Sequence, residues 1–162
     1  MSYNHSQKII HVASDHAGFP HKVEIVRWLI ELGHEVVDHG AKVLDSEDDY
    51  PDFIALAAAA VSASPESSCG IIFGGSGQGE AMLANRYANV RATVYYGNRP
   101  EIISLSREHN DANVLSVGAR FVSIEETKDC ISTWLAAEML ADEKYLRRNQ
   151  KLEHITRRIR TS

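Results

Sequence analysis

Cys69-Gly70-Ile71-Ile72-Phe73-Gly74-Gly75-Ser76-Gly77-Gln78-Gly79-Glu80 is the stretch from which the fold can be read. After Gly70 the run is apolar at successive positions rather than alternating. That pattern fits a strand covered on both faces, as in the middle of a parallel sheet. Glycines at 74, 75, 77 and 79 then break the run and let the backbone turn and approach a ligand closely. Glu80 opens a helical stretch over residues 80–87.

Strand and helix alternate in both directions from this point. Residues 9–14 read as a strand and 20–32 as a helix, with Val23, Val26, Leu29 and Ile30 on one face. A short strand at 35–38 leads into a charged loop at 41–49. Pro51 suits the first turn of the next helix, where its missing N–H costs nothing. Phe53, Leu56, Ala57, Ala60 and Val61 form that helix's apolar face, and Pro65 with its neighbouring serines ends it. Downstream lie a strand at 91–95, a helix at 101–108, a strand at 113–117, and helices at 124–140 and 143–159. Such alternation specifies the α/β class, an open, doubly wound sandwich with a parallel sheet between helices. Sheets of this kind bind ligands at the carboxyl ends of their strands.

The 162 residues fit one domain, 1–162, and 44% are apolar, enough for a sizeable core. No run approaches the roughly 18–20 apolar residues of a membrane span. Residues 1–8 are polar and lack the apolar region of a secretory leader, so a cytoplasmic protein is expected. Cys69 and Cys130 are far apart and form no CxxC pair, which reads as two buried apolar residues rather than a disulfide framework. The net charge of −5 is uneven: residues 144–160 carry seven Lys/Arg against one acid, a local +6, which leaves −11 on the rest. The last helix has an apolar stripe of Leu152, Ile155 and Ile159. A second stripe, Arg147, Lys151, His154 and Arg158, is basic. A solvated face is the ordinary reading of the basic stripe; the alternative is a helix that packs on a partner and aims cations at an anion.

Three segments attract a chemical reading: Ser14-Asp15-His16, Gly74 to Glu80, and Glu108-His109-Asn110. The first two fall just past strand ends; the third, expected at the same rim, precedes its strand by a few residues. A helix N-terminus behind a glycine loop presents N–H groups to an anion. The loop is not the dinucleotide fingerprint, because Glu80 stands where the third glycine belongs, and no Gly-Lys-Ser/Thr makes it a P-loop. By itself it is also compatible with a plain strand-to-helix turn. A carboxylate directly behind it adds a base to an oxyanion cradle. Asp15 is equally at home as a helix cap, and His109 as a surface histidine. No HExxH, Cys/His cluster or GxSxG elbow occurs, so neither metal nor nucleophilic serine is expected.

Taken in order, Ser14-Asp15-His16-Ala17-Gly18, Asp49-Tyr50-Pro51, Gly74 to Glu80, Ala84-Asn85-Arg86, Arg107-Glu108-His109-Asn110 and Val117-Gly118-Ala119-Arg120 resemble ribose-5-phosphate isomerase type B. That family includes the galactose-6-phosphate isomerase subunits, and the likeness runs from about Lys8 to Ile155. It implies a three-layer α/β/α sandwich on a five-stranded parallel, Rossmann-like sheet. It also implies a homodimer, or a tetramer built from it, with active sites at the subunit interface and the helix at about 143–160 packed on the partner. The implied reaction interconverts ribose 5-phosphate and ribulose 5-phosphate with no cofactor. One branch uses a cysteine just before the glycine loop as base; Gly74 stands there in this chain. The other uses a glutamate after the loop, which Glu80 matches.

By the same resemblance, Glu80 moves the proton between C2 and C1, and His109, assisted by Asp15, opens the furanose ring. Asn110 binds substrate hydroxyls. From the chemistry of the loop itself, the backbone N–H groups of Gly75, Ser76, Gly77, Gln78 and Gly79 are expected to stabilise the enediolate. His16, Arg120, Arg147 and Lys151 hold the phosphate. Lys151 replaces the family's arginine and keeps the charge without the bidentate fork; Arg148 replaces its histidine. A helix N-terminus lowers the Glu80 pKa and burial on substrate binding raises it, and sequence does not decide between them. Two other readings stay open: an isomerase of a six-carbon sugar phosphate such as allose or galactose 6-phosphate, and a non-catalytic sugar-phosphate-binding module. The module leaves Glu80 and His109-Asn110 unexplained. Nucleic acid is not expected as a partner, given the acidic remainder and the lack of interleaved aromatic and basic residues.

Overall fold

The computed structural model describes residues 8–161. Five strands and six helices follow in the order β1 (Ile9–Ser14), α1 (Phe19–Glu31), β2 (Val36–Asp38), α2 (Tyr50–Ala63), β3 (Ser68–Gly74), α3 (Gln78–Ala84), β4 (Ala92–Tyr95), α4 (Glu101–Asn110), β5 (Val114–Gly118), α5 (Ile124–Ala136) and α6 (Glu143–Thr161). The strands form one sheet in the order β2-β1-β3-β5-β4. Every pairing is parallel. β3 lies at the centre and is buried along its whole length, which explains why it reads as a continuous rather than alternating run.

Two apolar layers cover the sheet. On one face Ile10, Val12, Ile71, Phe73, Leu115 and Val117 meet Ile25 and Leu29 of α1, Ile103 of α4, and Ile131 and Trp134 of α5. On the other, Ala13, Ile72 and Val114 meet Ile54, Ala57, Ala58 and Val61 of α2 and Ala84 of α3. The three-layer α/β/α sandwich expected from the sequence is the observed architecture. α6 lies outside both layers and leaves Leu146, Leu152, Ile155 and Ile159 exposed.

Some boundaries move for local reasons. α3 begins at Gln78, two residues before the expected start, because Gly77 at φ 76° turns the chain directly into the helix. It ends at Ala84. α5 ends at Ala136, four residues early, where Ala137 becomes extended. α4 runs on through His109 and Asn110 until Asp111 takes a left-handed conformation at φ 45°. The apolar faces expected of two helices also include exposed residues, Val23 and Ile30 on α1 and Leu56 on α2. The polar segment read at residues 1–8 lies, apart from Lys8, outside the described residues. No helix among the described residues is long and apolar enough to cross a membrane.

Candidate active site

The sheet order reverses direction at β1 and β3: the chain moves outward to β2 on one side and to β5 and β4 on the other. Open α/β sheets place ligands at such a switch, beyond the carboxyl ends of the strands. Here β1 delivers Asp15 and His16 to that position and β3 delivers Gly74 to Glu80.

The glycine loop is held firmly. Ala119 and Arg120 donate their backbone N–H groups to the carbonyls of Gly74 and Gly75, at 2.9 and 3.1 Å. The Ser116 hydroxyl donates to the Gly77 carbonyl at 2.6 Å. A Cβ at Gly77 would crowd Ser116 and the backbone of Val117 and Gly118. These straps bring Arg120 over the loop, with its guanidinium against the Gly75 backbone. Ser76 is partly buried, Gln78 exposed and Gly79 packed against the Tyr50 ring.

Glu80 is 4% exposed and its carboxylate occupies the space directly over Gly74. Burial raises its pKa above the ordinary carboxylate value; the Asp15 carboxylate adds to the rise, and a hydrogen bond from its own backbone N–H opposes it. Burial is the largest of these influences and sets the direction of the shift. Asp15 accepts a hydrogen bond from the Gly18 backbone N–H at 3.1 Å; Gly18 itself is the N-cap of α1, so Asp15 braces the turn before the helix and does not cap it. Beside it, His16 Nδ1 lies 2.6 Å from Asp48 Oδ1, an oxygen that also accepts from the His16 backbone N–H at 3.0 Å. The Asp48 hydrogen bond raises the His16 pKa against the effect of burial.

Asp15, His16 and Asp48 also bring ligand-type atoms within 4.8 Å of one another. Because Asp48 Oδ1 and His16 Nδ1 are engaged with each other, we read this cluster as an acid–imidazole pair beside a second acid. Both cysteines are buried, with Cys69 pushed up to about 11 and Cys130 to about 12 by burial. Neither provides a thiolate at neutral pH.

His109, Asn110, Arg147 and Lys151 lie elsewhere, which corrects the expectation that residues 108–110 share the Glu80 rim. α4 returns antiparallel to the strands, so its last turn reaches their amino ends. There Arg91, just before β4, donates from Nε to the Asn110 carbonyl at 3.0 Å. His109 stacks on Tyr145 of α6, with ring centroids 4.2 Å apart, and Asn149 donates to the His109 carbonyl. Within one chain, the base and the proposed ring-opening acid therefore stand at opposite ends of the sheet. A groove of about 640 Å³ under α6, lined by Arg91, Asn149 and Glu153 among others, also lies at the His109 end. The raised Glu80 pKa and the switch point make the Glu80 rim the stronger candidate for the chemistry.

Asp48 and Tyr50 are rim residues that the sequence reading did not assign. Asp48 sits among Asp45, Glu47 and Asp49, and nothing in the sequence separates it from them. Tyr50 falls inside a quoted motif, which was the available signal.

The family model described as Ribose/Galactose Isomerase matches residues 10–152. Ribose-5-phosphate isomerase B of Escherichia coli (strain K12) is 40% identical over 149 residues, 92% of this chain and 95% of that protein. Its counterpart from Mycolicibacterium paratuberculosis is 34% identical over 139 residues, 86% of each chain. The crystal structure of ribose-5-phosphate isomerase B from Mycoplasma genitalium with bound ribulose-5-phosphate superimposes with a TM-score of 0.88 at 33% identity, covering 94% of this chain and 99% of that one. The Clostridium thermocellum isomerase B gives 0.86 at 37% identity, over 93% and 99%.

Proposed function

Because the chain belongs to the Ribose/Galactose Isomerase family of sugar-phosphate isomerases, we propose that it interconverts ribose 5-phosphate and ribulose 5-phosphate, with Glu80 as the base. The observation that carries this reading is the Glu80 carboxylate: buried, raised in pKa, and seated over Gly74 beside a strapped glycine loop. A base with a raised pKa is better matched to a proton on a weak carbon acid than an ordinary surface carboxylate. A mere binding module has no use for it.

The steps follow from these positions. Glu80 takes the proton from C2 of the open-chain aldose and returns it to C1. Main-chain N–H groups of Gly75 to Gly79 and the Ser76 hydroxyl stabilise the enediolate formed between the two transfers. Such donors accelerate the reaction because they favour the charged intermediate over the neutral sugar. Asp15 lies beside Glu80 and helps to open the ring. His16 and Arg120 hold the phosphate.

The remaining groups come from a second copy in this account. His109, as ring-opening acid, and Asn110, Arg147 and Lys151, as sugar and phosphate contacts, sit at the far rim of their own chain. A homodimer that sets one chain's far rim against the other's Glu80 rim completes two sites. The exposed apolar stripe of α6 supports that packing.

The test is turnover. The purified protein is assayed on ribose 5-phosphate, allose 6-phosphate and galactose 6-phosphate, beside Glu80→Gln. Preference for the pentose, lost in the variant, is the expected result. Preference for a hexose keeps the mechanism and changes the substrate. Turnover equal to wild type in Glu80→Gln overturns it.

A further inference from the structure

The acidic loop between β2 and α2 is tied to the site at both ends. At its start, Lys22 places Nζ 2.8 and 2.7 Å from the two Asp38 oxygens. Asp38 Oδ1 also accepts from the Gly40 backbone N–H at 2.9 Å. Gly40 and Ala41 then exchange backbone hydrogen bonds with Ser14, both 2.7 Å, next to Asp15. At its end, Tyr50 packs against Gly79. Asp48 thus reaches His16 from a loop whose two ends are fixed.

Asp48 differs from its acidic neighbours. Its side chain is 8% exposed, while Asp45, Glu47 and Asp49 are all exposed residues. Oδ1 takes both hydrogen bonds from His16, and Oδ2 is buried without a partner. A carboxylate so placed is stable only with a cation close by, since its second oxygen has lost water and gained no donor. Protonated His16, with Nδ1 2.6 Å from Oδ1, is placed to supply that cation. Three charged groups act on the imidazole: Asp48 from the loop after β2, Asp15 from the end of β1 and Arg120 from beyond β5. The acids favour its charged form and Arg120 opposes it.

We propose that Asp48 is a positioning residue for His16, holding Nδ1–H toward the protein and leaving Nε2–H for the substrate phosphate. This rests on the reading of His16 as a phosphate contact. An imidazole with both nitrogens protonated donates on both sides, once to Asp48 and once to the anion. The imidazole's contribution to phosphate affinity is then lost as pH rises through the His16 midpoint, which Asp48 moves upward.

The experiment compares wild type, Asp48→Asn and Glu47→Gln. It measures the His16 titration midpoint by NMR, the dissociation constant for inorganic phosphate, and KM and kcat on ribose 5-phosphate from pH 6 to 9. Asparagine keeps an acceptor for both His16 donors but removes the charge. Glu47→Gln removes the same charge from an exposed neighbour. The expected result is a lower His16 midpoint in Asp48→Asn, with phosphate affinity weakened about ten-fold at pH 8, as for the loss of a charge-assisted contact. KM rises by a similar factor while kcat is largely retained. Glu47→Gln behaves as wild type. An unchanged midpoint and phosphate affinity in Asp48→Asn, or equal effects from both variants, overturns the proposal. The midpoint and phosphate arms need no turnover, so absence of isomerisation in wild type counts against the isomerase reading and not against this one.

Discussion

Gly74 and Glu80 compete for one volume: a side-chain carbon added at Gly74 would come within 2.5 Å of both Glu80 carboxylate oxygens. Glycine at 74 is thus more than the absence of another branch's cysteine. It is the space in which the carboxylate sits. Gly74→Ala is expected to keep the fold and displace Glu80, lowering kcat/KM about 10²-fold, as a misplacement of roughly 1 Å does. In a Glu80→Gln background the same change is expected to add little, because the two act as a unit. Steady-state kinetics of the two single variants and the double variant checks both points.

Glu80 should be an expensive residue for stability. Its pKa is raised in the fold by burial, so the ionised form is disfavoured relative to the unfolded chain. The penalty is absent below the ordinary carboxylate pKa and fully present above the raised value. Glu80→Gln is therefore expected to be as stable as wild type or more so at pH 7, with the difference closing at acid pH, while turnover falls about 10²–10⁴-fold. Thermal melts across pH measure the first effect. The activity of wild type should itself decline as pH falls through the raised Glu80 value and the base becomes protonated.

Cys69 is expected to be a packing residue. It pairs with Ile10 of β1 in the sheet register, and burial holds its thiol at about 11. Cys69→Ala should leave kcat/KM within a few-fold of wild type and reduce stability by about 1 kcal/mol. The native thiol should resist a disulfide reagent until the protein is unfolded. Kinetics, denaturant titration and thiol labelling provide the three readings.

If two chains complete each site, two inactive variants should complement each other. Glu80→Gln and His109→Ala are each expected to be impaired as homodimers. Unfolded together in equal amounts and refolded, half the dimers are mixed, and each of these has one intact site. About a quarter of wild-type activity on ribose 5-phosphate should return. The His109→Ala protein by itself should lose more on a closed-ring substrate than on a linear one.

What the sequence makes legible is what short-range chemistry decides. The uniformly apolar run after Gly70 identifies a central strand because burial on both faces removes alternation. The glycine loop and Glu80 are adjacent in the chain, so their association needs no tertiary information. Asp48 is different: its partner lies 32 residues away, and only the return of β2 beside β1 brings the two together. His109 is expected at the Glu80 rim only if its segment is grouped with those that follow strands. It precedes β5, and α4 returns antiparallel to the strands, so its last turn, closed by left-handed Asp111, sits at their amino ends. The pKa direction of Glu80 was hidden for a third reason. Its cause is burial in the fold, which leaves the residue 4% exposed and is not written in the residues next to it.

Proton exchange at the reacting carbons tests Glu80 most directly. Ribose 5-phosphate is incubated in heavy water with wild type or Glu80→Gln, and deuterium at C1 and C2 is followed by NMR. Wild type should isomerise the sugar and place solvent deuterium at C1 in the fraction of turnovers in which the proton held on Glu80 exchanges with solvent before its return, and the variant should exchange no faster than the uncatalysed sugar. Exchange at the wild-type rate in Glu80→Gln would show that another group moves the proton.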